Sequence, residues 1–451
     1  MQKRYNKKSS PSHGVGSLDR LRRKAMSLYQ MKQISELELV CKKILRKVPS
    51  DAYANYLLGL SLLEKGNSEK AASLYKKAAE FDCSNKTFVL AAANTLSDVG
   101  RHDEAIHFFK SFARLQPNSA ETYNKIGFLY TLMGRVRDAI AFYKKALELK
   151  PDFVAALNNM GNAFQELGKK RAAIFFYKKA IMLQPNFSDA LYNQHAVLFS
   201  DNDPDAAIKS LRAAIAVNSK HYEAKGYLAM LLDLVGKNTE ADALFSEIER
   251  DAEYFSFLKE SWDYIKIHRS QNTRIFSLTR DSLRYAFSFT QKAGLILEFG
   301  VRYGTTINFL AGLTAEHIDG FDSFEGIPEE WKTEQKGQYT TYGELPPVYS
   351  NVSLHQGWFD KTLPVFCEGN SKSIRFINID CDLYSSTQMI FEALGDRLQS
   401  GSVIVFDEYI CNPRWQDDEF KSFQELVKEK NLEYEYLLFS PFSKQAAVII
   451  K

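Results

Sequence analysis

The chain has 451 residues, 45% hydrophobic and 25% charged, and this composition excludes a wholly disordered or collagen-like protein. Its length predicts two to four domains, and no apolar run is long enough to predict a membrane span. The net charge of +3 conceals an asymmetry, because residues 1–250 contain 38 basic and 26 acidic side chains whereas residues 251–451 contain 20 and 29. Two units of different character therefore meet near residue 250.

The N-terminal segment 1–17 is basic and rich in serine, and it lacks the apolar stretch of a secretory signal. It is predicted to be a disordered basic tail. The five cysteines are widely spaced and form no CxxC pair, so neither a disulfide framework nor a zinc site is expected. Together these features predict a cytoplasmic protein.

Residues 18–255 repeat with a period of 34 residues. Each repeat has a turn glycine between two helices, an alanine that permits close helix contact, an aromatic residue in the groove and a closing proline. Asn202 replaces one glycine, because asparagine tolerates left-handed backbone better than most residues. The main positions are Gly66, Gly100, Gly134, Gly168 and Gly236; Ala71, Ala105, Ala139, Ala173, Ala207 and Ala241; Tyr75, Phe109, Tyr143, Tyr177 and Phe245; and Pro49, Pro117, Pro151 and Pro185.

This pattern resembles the tetratricopeptide repeat, most closely in the copies that span 120–153 and 154–187. The resemblance implies an all-α solenoid of about seven repeats whose concave groove receives a protein or peptide partner. Lysine pairs that recur at the repeat spacing are interpreted as solvated faces. Aromatic and basic residues do not alternate in the manner of a nucleic-acid surface, so no nucleic-acid partner is expected.

Residues 256–290 are predicted to form a helical bridge to a second domain at 291–451. In that domain short apolar runs alternate with helical segments, which predicts an α/β, mostly parallel, doubly wound sheet with a closing antiparallel pair. The predicted strands are 295–299, 317–322, 351–357, 374–380, 402–407, 433–439 and 446–450. Because ligands bind beyond the carboxyl ends of such strands, the polar residues there are expected to share one rim.

Two features at the strand ends indicate an adenosine cofactor. The segment EFGVRYG places Gly300 and Gly304 after the first strand, where glycine lets a cofactor approach the backbone. Asp322 ends the second strand, 18 residues after Gly304, which suits a carboxylate that accepts hydrogen bonds from ribose hydroxyls.

A third feature is a set of acids after two later strands. Asp382, Asp407 and Glu408 are expected to converge, and converging carboxylates repel one another unless a cation offsets them. Because Mg²⁺ prefers carboxylate and water ligands, these three residues are predicted to bind Mg²⁺. Asp382 is also the candidate general base.

From about residue 290 onwards, the segments EFGVRYG, DSFEGIP, QGWFDKTLP, IDCDLYSST and FDEY resemble the class I S-adenosylmethionine-dependent methyltransferases, and among them the macrocin O-methyltransferases. The resemblance implies a Rossmann-like fold, S-adenosylmethionine as cofactor, and Mg²⁺-assisted methyl transfer to a hydroxyl of a sugar or natural-product-like acceptor. It implies cofactor contacts at Glu298, Gly300, Gly304, Asp322, Gln356, Gly357 and Trp358, and metal contacts at Asp382, Asp407 and Glu408.

The sequence departs from that family at two positions. Cys381 stands where the family has glycine, and Glu408, which has a longer side chain, stands where it has a second aspartate. These departures keep open a repeat scaffold with an inactive methyltransferase-like domain. The DxD sequence 380–382 keeps open a second alternative, a metal-dependent glycosyltransferase. The segment 323–350, rich in aromatic residues, is predicted to be a substrate lid.

Overall fold

The computed structural model describes residues 13–291 and 293–451. It contains two compact units, one formed by residues up to 133 with 138–151 and the other by 134–137 with 152–451. None of its described helices is both long and apolar enough to cross a membrane. The second unit contains repeat helices as well as the sheet domain.

The first unit is built from consecutive helices that pack in pairs. The alanine positions of the repeat are fully buried, as Ala71 and Ala105 show, and the aromatic positions Tyr75 and Phe109 are at most 2% exposed. The small residue lets the two helices approach, and the ring fills the space between them. The helices are α1 (His13–Gln30), α2 (Ile34–Lys47), α3 (Ala52–Glu64), α4 (Ser68–Phe81), α5 (Lys86–Asp98), α6 (His102–Leu115), α7 (Ala120–Leu132) and α8 (Val136–Leu149).

The same pairing continues in the second unit. Ala173 and Tyr177 are fully buried there, and so is Leu211, which takes one aromatic position of the repeat. A 3₁₀ turn at Glu253–Phe255 ends the repeat region. The helices are α9 (Val154–Glu166), α10 (Lys170–Leu183), α11 (Ser188–Leu198), α12 (Asp205–Val217), α13 (Tyr222–Leu234), α14 (Asn238–Asp251), α15 (Phe257–His268) and α16 (Thr279–Phe287).

The predicted turn glycines adopt left-handed backbone, with φ between 64° and 79° at all five positions of the ladder. The corresponding prediction for Asn202 was wrong, because Asn202 is not among the residues with positive φ. Helix α11 ends early at Leu198, and a turn closed by the Asp203 amide on the Ser200 carbonyl leads into α12. The longer connection removes the need for a left-handed residue.

The sheet of the described chain has eight strands in the order β1-β7-β8-β6-β5-β2-β3-β4, and every neighbouring pair is parallel except the two that involve β8. The doubly wound sheet and its antiparallel closing pair are thus confirmed. The elements are β1 (Arg274–Ile275), β2 (Leu295–Phe299), α17 (Thr305–Ala311), β3 (Ile318–Asp322), β4 (Val352–Gln356), α18 (Phe359–Gly369), β5 (Ile374–Ile379), α19 (Tyr384–Leu394), β6 (Val403–Phe406), α20 (Glu419–Lys430), β7 (Tyr434–Ser440) and β8 (Gln445–Ile450).

The segment 256–290 is not a purely helical bridge. Its helices α15 and α16 flank β1, which pairs with β7 at the edge of the sheet. A strand of two residues has too little pattern to be detected in sequence. The segment is therefore an integral part of the sheet domain.

Strand β2 lies at the point where the chain reverses direction across the sheet. All five of its residues are buried, and it pairs with β3 on one side and β5 on the other. Such a reversal leaves a crevice at the carboxyl ends of the two central strands. The topology places the predicted site there.

The last repeats and the sheet domain share a hydrophobic core. The 3₁₀ turn Pro441–Ser443 joins β7 to β8, and the Phe442 ring lies 4.9 Å from the rings of both His195 and Tyr227. Its contacts with α11 and α13 fix this turn from the side of the repeats.

The aromatic cluster around His195 predicts a pH-dependent stability. Burial lowers the pKa of His195 to about 4, whereas the unfolded side chain has a pKa near ~6.5. As the pH falls, the unfolded chain therefore binds this proton at a higher pH than the folded chain does. The stability that neutral His195 contributes is complete above pH ~6.5 and is lost as the pH falls towards about 4. In urea unfolding, this group should remove about 2 kcal/mol of stability between roughly pH 7 and pH 5. His195→Leu should lose that part of the pH dependence, while the exposed His317→Gln should keep it; an unchanged slope in His195→Leu would contradict the assignment.

Candidate active site

The predicted site residues follow neighbouring strands at one edge of the sheet. The Asp380 amide donates to the Phe299 carbonyl at 2.8 Å, and the Asp407 amide donates to the Ile379 carbonyl at 3.0 Å. These bonds continue the parallel ladder one residue past β5 and β6. They hold the loops after three central strands side by side.

Gly300 follows β2 at the tightest point of this edge. Its φ is 91°, and a Cβ atom there would lie 1.6 Å from the Asp380 carbonyl oxygen. No side chain fits that distance, and an L-residue is strained at this φ. The close approach of the β2 and β5 loops therefore requires glycine.

Asp322 lies at the end of β3 and closes the glycine loop. Its two carboxylate oxygens accept hydrogen bonds from the backbone amides of Arg302, at 2.7 Å, and Phe324, at 2.6 Å. Burial raises the pKa of Asp322, although these amides oppose the shift. The carboxylate is thus fixed beside the loop before any ligand binds.

A cleft of about 850 Å³ opens at this edge, within the range of ligand sites. It brings together seven of the predicted residues, namely Gly300, Asp322, Gly357, Trp358, Asp382, Asp407 and Glu408. The cofactor end and the acid end that the sequence predicts are therefore parts of one cleft.

Three predicted cofactor residues do not line the cleft. Glu298 is fully buried within β2, and burial raises its pKa well above the ordinary value. Gly304, with φ of 71°, caps the start of α17, and Gln356 is exposed, with its amide 3.4 Å from the Gly343 carbonyl. The cofactor contacts of these three residues stay predictions.

The acid end contains Asp380 and Glu419 besides the three predicted metal ligands. Asp380 also lines the cleft, and Glu419 lies fully buried at the start of α20, where it accepts a hydrogen bond from the Glu408 amide at 3.1 Å. Asp380 belongs to the DxD sequence 380–382, on which the glycosyltransferase alternative rests. Glu419 is a helix residue without a motif, so only the fold reveals it.

The carboxylate cluster comprises Asp380, Asp382, Asp407, Glu408 and Glu419. Burial and the charges of neighbouring acids raise the pKa of Asp380 and Glu419 well above the ordinary value. Burial, followed by the charges of Glu408 and Asp407, raises the pKa of Asp382 to about 7. Burial and Glu408 raise the pKa of Asp407 to about 6. Such a cluster favours a positively charged ligand or cation in the cleft.

The chain itself supplies positive and hydrogen-bonding partners to the cluster. The Lys444 ammonium lies 3.0 Å from Glu408 Oε1, and the Gln445 amide donates to Asp407 Oδ1 at 2.5 Å. Lys332 lowers the pKa of Asp382 in opposition to burial. Lys444 and Gln445 follow the Pro441–Ser443 turn, far along the chain from the acids.

These contacts bear on the predicted Mg²⁺ site. In residues 13–291 and 293–451, no three His, Cys, Asp or Glu side chains are arranged to hold a metal ion. Although Asp382, Asp407 and Glu408 have suitable chemistry, Glu408 and Asp407 are already engaged by Lys444 and Gln445. The residues as placed do not fit Mg²⁺, and no catalytic step is derived from it.

The predicted lid segment 323–350 forms one wall of the cleft. The indole of Trp331 donates to Asp418 Oδ2 at 3.0 Å, at the start of α20. Trp331 also packs with Ile327, Leu383 and partly buried Tyr339. The aromatic residues of this segment therefore both pack and present surface to a ligand.

The Gly300 geometry predicts a selective effect of substitution. Gly300→Ala should separate the β2 and β5 loops and weaken binding of S-adenosylhomocysteine, a probe of the predicted cofactor end, at least about tenfold, because a strained or displaced loop costs roughly 1–3 kcal/mol. Calorimetric titration measures the affinity. Gly369→Ala is the matched control, because a Cβ atom there meets nothing within 4 Å. Unchanged affinity in Gly300→Ala would show that the loop takes no part in binding.

Comparison with known families matches both parts of the chain. A "Methyltransferase domain" model matches residues 297–409. Models of the "TPR repeat" and "Tetratricopeptide repeat" match 129–168, 154–187 and 197–254, and a model of "Anaphase-promoting complex, cyclosome, subunit 3" matches 30–112.

One curated relative is an "8-demethyl-8-(2,3-dimethoxy-alpha-L-rhamnosyl)-tetracenomycin-C 4'-O-methyltransferase" from Streptomyces olivaceus, 30% identical over 160 residues. The match covers 29% of this chain, and the chain spans 59% of the length of that relative.

Solved structures match the chain in part. A crystal structure of MamA has a TM-score of 0.34 at 21% identity and covers 38% of this chain and 92% of its own. YrrB, titled "a TPR protein with an unusual peptide-binding site", has a TM-score of 0.34 at 21% identity, with coverages of 41% and 95%. With the sequence matches and the sheet topology, the chain is shown to join tetratricopeptide repeats to a methyltransferase domain.

Proposed function

We propose that this protein is an S-adenosylmethionine-dependent O-methyltransferase that acts on a hydroxyl of a sugar or natural-product-like acceptor. The observation that carries the proposal is the single cleft, which joins the Gly300–Asp322 edge to the carboxylate cluster. The methyltransferase match over 297–409 spans both ends of that cleft.

The cofactor end is formed by Gly300, Asp322, Gly357 and Trp358. Asp322 holds a ribose, Gly300 lets the cofactor approach the backbone, and Trp358 offers an aromatic face to the adenine. S-adenosylmethionine supplies an electrophilic methyl group on a positively charged sulfur. A cleft rich in carboxylates attracts such a cation.

At the acid end, Asp382 is proposed to accept the proton of the acceptor hydroxyl. The acceptor oxygen forms its bond to the methyl carbon as the carbon–sulfur bond breaks, and the hydroxyl proton passes to the Asp382 carboxylate. Asp382 lines the cleft. Its backbone is left-handed, with φ of 63°, in the loop that follows β5. Fixing the acceptor beside the methyl group lowers the entropic cost of the reaction.

Aromatic side chains that line the cleft support a sugar-like acceptor. Trp331 and Tyr339 come from the 323–350 segment, and Tyr254 comes from the 3₁₀ turn that ends the repeats. Aromatic rings offer apolar faces to the C–H surface of a sugar. The Streptomyces relative is named for methylation of a rhamnosyl group, which agrees with this acceptor class.

Mg²⁺ assistance and a cytoplasmic location stay predictions from the sequence. Binding of Mg²⁺ by Asp382, Asp407 and Glu408 would require Lys444 and Gln445 to leave the carboxylates that they contact.

A groove in the first unit is proposed to bind a peptide segment of a protein partner. It has a volume of about 380 Å³ and includes Tyr56, Lys86, Leu90, Asn94 and Phe112. An apolar floor with an amide suits an extended peptide.

Peptides selected for binding to the full chain should no longer bind the Leu90→Glu variant. Peptides that bind this variant and the wild type equally well would contradict the proposal.

The cofactor assignment is tested with S-adenosylhomocysteine, the demethylated product. The wild-type chain should bind it in calorimetric titration, and Asp322→Asn should bind at least about tenfold more weakly, because the side-chain amide replaces an acceptor oxygen. Asp396→Asn is the matched control, because its carboxylate is exposed at the end of α19. Absence of binding to the wild-type chain would refute the proposed function.

The role of Asp382 is tested by methyl transfer to a panel of rhamnosides, followed with tritiated S-adenosylmethionine. Asp382→Asn should lower the transfer rate by about a hundredfold or more, because a positioned base contributes roughly that factor. Its affinity for S-adenosylhomocysteine should stay within about twofold of the wild type. Full transfer by Asp382→Asn would exclude it as the base.

A further inference from the structure

Lys444 is a cationic side chain of the acid end that neither the repeats nor the sequence motifs predict. It lies directly after the Pro441–Ser443 turn, with φ of 61°, a conformation that is uncommon for a lysine. Its carbonyl accepts a hydrogen bond from the Ile410 amide at 3.1 Å. The backbone of Lys444 is thus held at the rim of the cleft, against the loop that carries Glu408.

The turn before Lys444 is fixed from the opposite side. The Phe442 ring lies 4.9 Å from Tyr227 and 5.4 Å from Phe199, both of which are buried repeat residues. A strained backbone persists only where its surroundings determine it. The repeats therefore hold the segment that delivers Lys444 to the acids.

The side chain of Lys444 is placed among the carboxylates. Its ammonium lies 3.0 Å from Glu408 Oε1, and the charges of Asp407 and Asp382 also stabilise it. Glu408 is 15% exposed at the side chain, so this ion pair is partly shielded from water. The Lys444 ammonium thus supplies a positive charge to the carboxylate cluster from within the chain.

The second oxygen of Glu408 has a different environment. Glu408 Oε2 is buried and has no hydrogen-bond partner among the described residues, although Glu408 lines the cleft. A buried acceptor without a partner is costly unless a ligand satisfies it. A hydroxyl group of an acceptor molecule has the hydrogen-bond donor that this oxygen lacks.

We propose that Lys444 is a built-in cation that takes the place of a divalent metal ion and positions Glu408 to accept a hydrogen bond from a second hydroxyl of the acceptor, distinct from the one whose proton passes to Asp382. This inference rests on the proposed function only for the identity of the acceptor. A divalent cation on Glu408 would bind within about 2.1 Å of a carboxylate oxygen, beside the ammonium, and the two like charges would repel. Lys444 and a divalent ion therefore compete for the same carboxylate.

The competition is measured with Mn²⁺, a paramagnetic analogue of Mg²⁺, by electron paramagnetic resonance on the full chain. Lys444→Met keeps much of the length of the side chain and removes the charge, so it should bind Mn²⁺ at least about tenfold more tightly than the wild type. Lys372→Met is the matched control. This exposed lysine precedes β5, at the amino-terminal ends of the strands and away from the cleft, so the variant should bind Mn²⁺ as the wild type does.

Equal Mn²⁺ affinity in Lys444→Met and the wild type, or weaker affinity in the variant, would overturn the proposal. Lys444→Arg keeps the charge and should bind Mn²⁺ as weakly as the wild type, so tight binding by this variant would also overturn it. If Lys444→Met does not fold, the Mn²⁺ affinity of Lys444→Arg tests the proposal in its place. Titration with S-adenosylhomocysteine is independent of these results. If the wild type does not bind this compound, the methyltransferase proposal is refuted, whereas the proposal for Lys444 is still judged by the Mn²⁺ affinities.

Discussion

The compensation of buried negative charge is the constraint on which the rest of the site depends. Asp380 and Asp407 follow the parallel strands β5 and β6, so both lie at the carboxyl ends of the strands. Glu419, at the start of α20, contacts the Glu408 amide there. In a poorly solvated cleft such carboxylates must protonate, acquire a partner or bind a cation. Lys444 and Gln445 from one segment and Lys332 from another partly compensate this negative charge.

Much of the fold could be predicted because its determinants are local and periodic. The 34-residue ladders identify the helix pairs, and the apolar runs identify seven strands to within one or two residues. The same is true of the strand-end motifs, since Gly300, Asp322 and Asp382 follow strands that are recognisable by pattern. Parallel topology then places them on one edge.

The features that escaped prediction depend on tertiary contacts. Strand β1 exists because β7 offers it an edge, and Asn202 escapes the left-handed turn because α11 ends early. Lys444 carries no motif, and only the turn after β7 brings it to Glu408. Glu298 lies inside the sheet, and its cofactor contact stays a prediction.

The Phe442 contact also bears on how such a chain can be recombined. A cut at residue 255, where the repeats end in sequence, would remove His195 and Tyr227 from around the Phe442 ring and expose an apolar surface on the turn after β7. An exchange before α7 would leave that core whole and would keep residues 134–137, which belong to the second unit. Chimaeric proteins, whether they arise by gene fusion or by design, should therefore tolerate replacement of the early repeats and reject replacement of the later ones.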